Sequence, residues 1–340
     1  LSDYLASLIH RVDIDELVRY VDNVCASGDF PHLIDVRDQA RAAVNSGRQL
    51  WPIATLANYR LALYAPGPLA VRALDDTART FMPGPLSEIL AVHHTWDELS
   101  EHLVPGPDRS LFAYERALRG DNITTDESNA LDIPLVPLTW EPNYPVASYD
   151  DEGVTCDPPA LPSLSLANSS MIESHSHSTG VDDLAIDDLV IDDEDTDIAV
   201  RELFSSWTTE SNGTVAVTIV EGSIADALSA HGLANAPTSP LTTQEAFSWL
   251  AWAGASGGAH GTRRGMATGR FGVWWLCATI TDTADEWPLH DPMSHEAIKQ
   301  LAWHQFLPKD GHQNGWVVHF AVHDPLNEIS VCIEASDSLE

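Results

Sequence analysis

The chain has 340 residues, 51 acidic against 17 basic, and a formal net charge of −34. Hydrophobic residues make up 44%, enough to build a core, which excludes global disorder. The charge argues against a nucleic-acid binder that neutralises phosphates over a broad surface, and against docking on an anionic membrane.

At this length two domains are expected. No run approaches the roughly 18–20 apolar residues of a membrane span; the longest candidate, 271–280, is about half that length. Residues 1–29 are acid-rich and read as amphipathic helix, unlike a secretory signal. The chain begins with Leu rather than Met, which leaves a lost leader open. Cys25, Cys156, Cys277 and Cys332 form no CxxC pair, so neither a disulfide framework nor a zinc ribbon is expected, and no cofactor or metal. A cytoplasmic protein with reduced thiols is the expectation. Residues 150–200 hold 14 acids and no Lys or Arg, yet without them 37 acids still face 17 bases. The acid excess is therefore mostly global.

The first 122 residues read as an all-helical array or bundle. Ile14, Leu17, Val18, Val21 and Val24 keep helical spacing. Pro31 can open a second helix that Gly47 closes, and 50–65 reads as a third. Three Pro-Gly-Pro turns, at 66, 83 and 105, each precede an apolar-periodic run. Their intervals of 17 and 22 residues are too uneven for a true solenoid. Thr95 and Glu98 make a capping-box pattern, and 109–119 reads as the last helix.

Residues 123–149 read as an extended Pro-rich strap, with Trp140 and Tyr144 embedded in a surface. Residues 150–198 read as an acidic, disordered linker. Its Asp pairs recur every five residues, a period that fits neither a helix face nor a strand face. A docking motif for a basic partner in 181–197 is the functional reading, and a solvated tether the plain one. Residues 199–338 read as an α+β domain with a mostly antiparallel sheet: a strand at 214–220, helices at 223–230, 242–253 and 263–281, then strands at 301–307, 315–323 and 328–335, with helices on one sheet face. The expected class is α+β multidomain, an all-helical N-terminal module followed by this α+β module.

The most distinctive stretch is 254–270, GASGGAHGTRRGMATGR. As a continuous helix it would stack Gly257, Gly261, Gly265 and Gly269 into a bare ridge. Each Gly costs about 1 kcal/mol relative to Ala, so another backbone would have to approach closely. As a loop between two helices, it would place Arg263 and Arg264 in the first turn of the second helix, where free N–H groups and guanidinium groups favour an anion. Arg263, Arg264 and Arg270 are thus the ligand-binding candidates, with Arg–carboxylate packing as the structural alternative.

Residues 254–258 also match G-x-S-x-G, making Ser256, with the nearby His260, the catalytic candidates. Asp282, Asp285 or Asp291 and then His312, His319 or His323 follow in triad order, but the preceding 247–252 reads as helix where the motif needs a strand. His319 and His323 share a strand face about 13 Å apart, at about 3.3 Å per residue, too far to chelate one metal as a pair. His304 could lie opposite His319. The tryptophans that flank the stretch, Trp249, Trp252, Trp274 and Trp275, read mostly as core and could wall a pocket.

Residues 50–74 (LWPIATLANYRLALYAPGPLAVRAL) together with 251–275 (AWAGASGGAHGTRRGMATGRFGVWW) resemble a family of uncharacterised bacterial proteins of actinobacterial type. The resemblance spans both domains, skips the acidic linker and implies no activity. The expected function is a non-enzymatic binding or adaptor protein with an Arg/Gly-rich site. The alternative is a hydrolase-like enzyme acting on a small anionic substrate through Ser256, His260, Arg263 and Arg264. A protein partner is expected first and a small anionic ligand second, with neither nucleic acid nor membrane.

Overall fold

The computed structural model describes residues 2–76, 81–123, 130–162, 164, 186–289, 292–308 and 315–339. The chain divides into two compact units. One comprises Leu1–Ala130 and Val146–Cys156, the other Leu131–Pro145 and Asp157–Glu340.

The first unit is helical. It contains α1 (Ser2–Arg11), α2 (Ile14–Ala26), α3 (Phe30–Asn45), α4 (Trp51–Tyr64), α5 (Gly67–Ala70) running into a 3-10 turn, α6 (Leu86–His93), α7 (Trp96–Leu99) and α8 (Pro107–Leu118). Local chemistry sets the ends. Asp13 and Asp29 cap α2 and α3 by accepting from the Glu16 and His32 amides, and prolines sit in the first turns of α3, α4, α5 and α8. Helix α4 is apolar nearly all round and packs against α2, α3 and α6, so it forms the centre of the unit. Its Asn58 donates to Ala73 O (3.0 Å) and accepts from Arg37 (3.1 Å), which locks the chain where it leaves α5.

A short hairpin, β1 (Ser148–Asp150) and β2 (Gly153–Thr155), completes this unit. The Tyr149 hydroxyl donates to the buried Glu88 carboxylate (2.6 Å), Tyr59 donates to Asp150 O (2.8 Å), and Arg119 donates to Ala147 O (2.9 Å). Residues 146–156, expected as strap and tether, are therefore a folded part of the helical unit.

The second unit is α+β, as the sequence predicts. It contains α9 (Glu194–Leu203), α10 (Ser205–Thr209), β3 (Thr214–Glu221), α11 (Ile224–Ala230), β4 (Thr238–Leu241), α12 (Thr243–Ala255), α13 (Met266–Ile280), α14 (Pro292–Gln300), β5 (Ala302–Phe306), β6 (Trp316–Asp324) and β7 (Ile329–Asp337). The sheet is antiparallel throughout, in the order β3-β7-β6-β5-β4. Capping boxes at Ser223 and Thr242 start α11 and α12.

Both sheet faces are buried, not one. Val220, Ala321, Cys332 and Phe306 meet Ile224, Ala227 and Leu228 of α11, while Val318, Phe320, Val322, Val331 and Ile333 alternate onto the other side. The end of the expected disordered linker is also folded. Residues 186–189 form a 3-10 turn, Val190 bridges to Val220 on the free edge of β3, and Asp193 caps α9. The docking motif expected in 181–197 lies partly outside the described residues, and its second half packs on the sheet.

Residues 131–145 lie on α12 and α13 as an irregular strap. Trp140 meets Phe247 edge-on with ring centroids 5.4 Å apart, and meets Trp274 at 5.5 Å.

Candidate functional site

The glycine/arginine stretch is helix, loop and helix. Helix α12 ends at Ala255, and α13 begins at Met266 behind Gly265, whose φ of 92° suits glycine. Arg263 and Arg264 thus precede the second helix instead of occupying its first turn. Of the four glycines of the imagined ridge only Gly269 is helical, and it serves the purpose expected of the ridge. A Cβ there would lie 2.1 Å from Ala251 O, so α12 and α13 cross with backbones in contact.

Within the loop two amides point at the protein's own carboxylates. Ala259 N donates to Asp337 Oδ2 (2.6 Å) and Thr262 N to Glu210 Oε2 (2.8 Å). Gly258, at φ +66°, brings the backbone so close to Asp337 that a Cβ would stand 2.1 Å from its oxygen. The amides that meet carboxylates are thus those of the loop, not those of the first turn of α13 where the sequence reading placed an anion, and side chains of the same unit occupy them.

The candidate residues fare accordingly. The Ser256 hydroxyl accepts from the Trp207 indole (3.1 Å) and donates to Ala253 O (3.1 Å), as a helix C-terminal anchor. The His260 ring is exposed, and its amide donates to Ser211. Arg263 is buried. Arg264 donates to Glu202 O (2.6 Å) and Ser205 Oγ (2.9 Å).

Arg270 is fully buried and forks onto Glu141, Nε to Oε2 and Nη2 to Oε1, both at 2.7 Å, while Nη1 donates to Pro134 O (2.6 Å). Glu141 also accepts from Tyr144 (2.6 Å), Trp274 (3.2 Å) and the Leu138 amide (2.8 Å). Burial alone would raise the Glu141 carboxyl; the bonds and charge of Arg270 outweigh it, with help from Tyr144, and hold it below the usual carboxylate range. This is a complete internal network that fastens the strap to α13.

The remaining histidine and acid candidates stay dispersed. His304 pairs with Ala321, not with His319, which stacks on Phe306 at 5.6 Å. His323 bonds Ser330 (2.9 Å). Asp282 follows α13, and Asp285 lies in a 3-10 turn. Asp291 and His312 lie outside the described residues. Among the described residues no three His, Cys, Asp or Glu side chains converge as a metal would need. One relay escaped the sequence reading. Thr218 Oγ1 meets His231 Nδ1 at 2.8 Å, and His231 Nε2 meets Glu334 at 3.4 Å. It ties the end of α11 to the sheet.

A different group of residues lines an open groove of about 600 Å³ in the helical unit: Asp22, Cys25, Ala26, Arg60, Tyr64 and Asp151. Asp22 and Cys25 stand three apart on α2, Arg60 and Tyr64 four apart on α4, and Asp151 is carried in by the β1–β2 turn. Arg60 is only 7% exposed. Its Nε donates to Asp22 Oδ1 (3.3 Å) and its Nη1 contacts Asp151 Oδ1 (2.5 Å), while the two carboxylates are 48% and 66% exposed. Tyr64 donates to the same Asp151 oxygen (2.9 Å). Burial, then the bond to Asp151, push the Tyr64 hydroxyl up to about 12, so it stays a neutral donor. Burial also raises the Cys25 thiol, and Arg60 opposes that only in part.

The i,i+3 and i,i+4 spacings were visible in the sequence as helical pairs, but nothing local announces Asp151 as their neighbour. Against known proteins, the profile of a family of unknown function matches residues 15–337, whereas no curated protein and no solved structure matches. The match reaches across both units, and the chain belongs to that family of unknown function, DUF6183.

Proposed function

We propose that the protein is a non-enzymatic binding protein and that its binding site is the groove of the helical unit. The observation that carries this is the state of two sets of polar groups. In the glycine/arginine stretch, Ser256 and Arg264 of the loop and Arg270 of α13 are held by other groups of the same unit. In the groove, by contrast, a buried guanidinium meets two carboxylates that remain half and two-thirds exposed around an open volume. That volume is within the range of small-ligand sites.

The alternative, a hydrolase-like enzyme, needs Ser256 placed for attack beside a base, and its hydroxyl is spent on Trp207 and Ala253. The chain's net charge of −34 favours partners that present positive charge. We read the family as bacterial, of actinobacterial type, and the protein as cytoplasmic, from its residue pattern and its four dispersed cysteines.

Native mass spectrometry of the protein purified from its own host at low salt tests the reading. A retained partner that is lost in an Asp22→Asn/Asp151→Asn double variant is expected. Retention at the same level in the double variant would remove the groove as the site.

A further inference from the structure

Building on the groove as the binding site, we infer that its ligand is an alkylammonium group, seated between the free oxygens of Asp22 and Asp151 and against the ring of Tyr64. Charge favours a cation. Two carboxylates face one guanidinium, while Tyr64 and the Cys25 thiol are neutral, so the groove carries about one net negative charge. It sits in a chain of net charge −34, whose field concentrates cations and repels anions. An anion would also have to displace carboxylates that are already on Arg60.

The second part is hydrogen-bond capacity. Arg60 and Tyr64 use only the Oδ1 atoms of Asp22 and Asp151. Both Oδ2 atoms remain without a partner among the described residues, on side chains about half to two-thirds exposed. Arg60 thus fixes the two carboxylates by one oxygen each and leaves the other for an incoming donor. An ammonium offers three donors in a compact head. Guanidinium ligands prefer the bidentate fork, for which both oxygens of one carboxylate must be free.

The third part is the aromatic wall. Tyr64 is 40% exposed and stacks loosely on His93, with ring centroids 6.0 Å apart, which braces its ring at the groove. A cation over such a face gains further attraction. A metal ion fits less well, because no three ligating side chains converge here among the described residues.

Such a group has two sources, a free polyamine or the side chain of a lysine on a partner protein. Isothermal titration of the full chain at low salt, with spermidine in one arm and a lysine-containing peptide in the other, separates them. The expected result is saturable one-to-one binding of at least one probe. Asp22→Asn/Asp151→Asn should weaken it by about tenfold, the scale of a lost charge-assisted hydrogen bond. Tyr64→Leu should weaken it less. Asp192→Asn/Asp195→Asn, which removes the same charge from exposed residues of the other unit, should leave it nearly unchanged. Melting curves establish that each variant is folded.

Spermidine binding alone assigns the free amine, and peptide binding alone assigns the lysine. Equal weakening by both double variants would mean counterion condensation on an acidic protein and would overturn the inference. Absence of saturable binding by either probe would overturn it too. If the host-retained partner still depends on Asp22 and Asp151 in that case, the groove remains the site and only the ligand class is wrong.

Discussion

Arg270 and Arg60 are both buried arginines on central helices, yet their surroundings differ in kind. Around Arg270 the carboxylate is buried: Glu141 takes both prongs of the fork, Tyr144 and Trp274 fill its other side, and the half-buried Pro134 O takes a third donor. Around Arg60 the partners are two carboxylates, one half and one two-thirds exposed, that keep one oxygen each unused. A satisfied network in the interior fixes a structure, since any partner removed leaves a buried charge behind. A half-satisfied network at an open groove can exchange partners with a ligand at little cost. The more conspicuous arginine in the sequence is therefore the structural one.

That contrast can be broken from the structural side first. Glu141→Ala should cost about 3–5 kcal/mol in urea unfolding, because it strands the Arg270 charge in the core. Replacing the pair together, Arg270→Met with Glu141→Leu, should recover part of that loss; no recovery would show that the pair does more than neutralise itself. Gly269→Ala should cost about 1–3 kcal/mol by wedging α12 from α13, since its Cβ falls 2.1 Å from Ala251 O. Ser256→Ala should cost about 1 kcal/mol, the worth of its hydrogen bonds to Trp207 and Ala253. A loss of some hydrolytic turnover in that variant would revive the enzyme reading.

Acidity offers a gentler perturbation. Burial pushes His304 and His319 below the usual histidine range, with Glu334 pulling His319 partly back. The folded chain then holds them neutral while the unfolded chain takes up protons near pH ~6.5. Stability from this source is complete above that pH and is lost as pH falls through it. The lowered carboxyls of Glu141 and Asp121 act in the same direction at lower pH still, once their unfolded counterparts protonate. A flat melting temperature between pH 7 and pH 5 would contradict the burial of the two histidines. The smallest effect belongs to the groove. Asp151→Asn should change stability by about 0–1 kcal/mol, because its carboxylate is two-thirds exposed and Arg60 keeps Asp22 as a partner.

The fold was legible wherever neighbours in sequence decide it. Apolar spacing marked α2, Pro31 and Asp29 sit at the start of α3, and the Thr242–Glu245 pattern forms the capping box of α12. The last three strands fall within a few residues of their expected ends, and α13 begins three residues late because Gly265, not Arg263, makes its turn. Strand β4 was missed because it is only four residues long and contains Pro240, a residue that interior strands avoid. The site was far less legible. Glu141 and Arg270 are 129 residues apart, and Tyr64 and Asp151 are 87 apart. A helix shows that Asp22 and Cys25 share a face, and that Arg60 and Tyr64 do. Packing of α2 on α4 brings the two pairs together, and the docking of the 148–155 hairpin through Tyr59 and Tyr149 adds Asp151.

On this reading the groove binds and the glycine/arginine loop builds. Amide hydrogen exchange on protein purified from its host at low salt, compared before and after a high-salt wash, tests it most directly. The expected result is that the wash raises exchange in peptides covering the C-terminal turns of α2 and α4 and the 148–155 hairpin, and leaves 256–265 unchanged. Increased exchange confined to 256–265 would contradict it and return the site to the arginines of the loop.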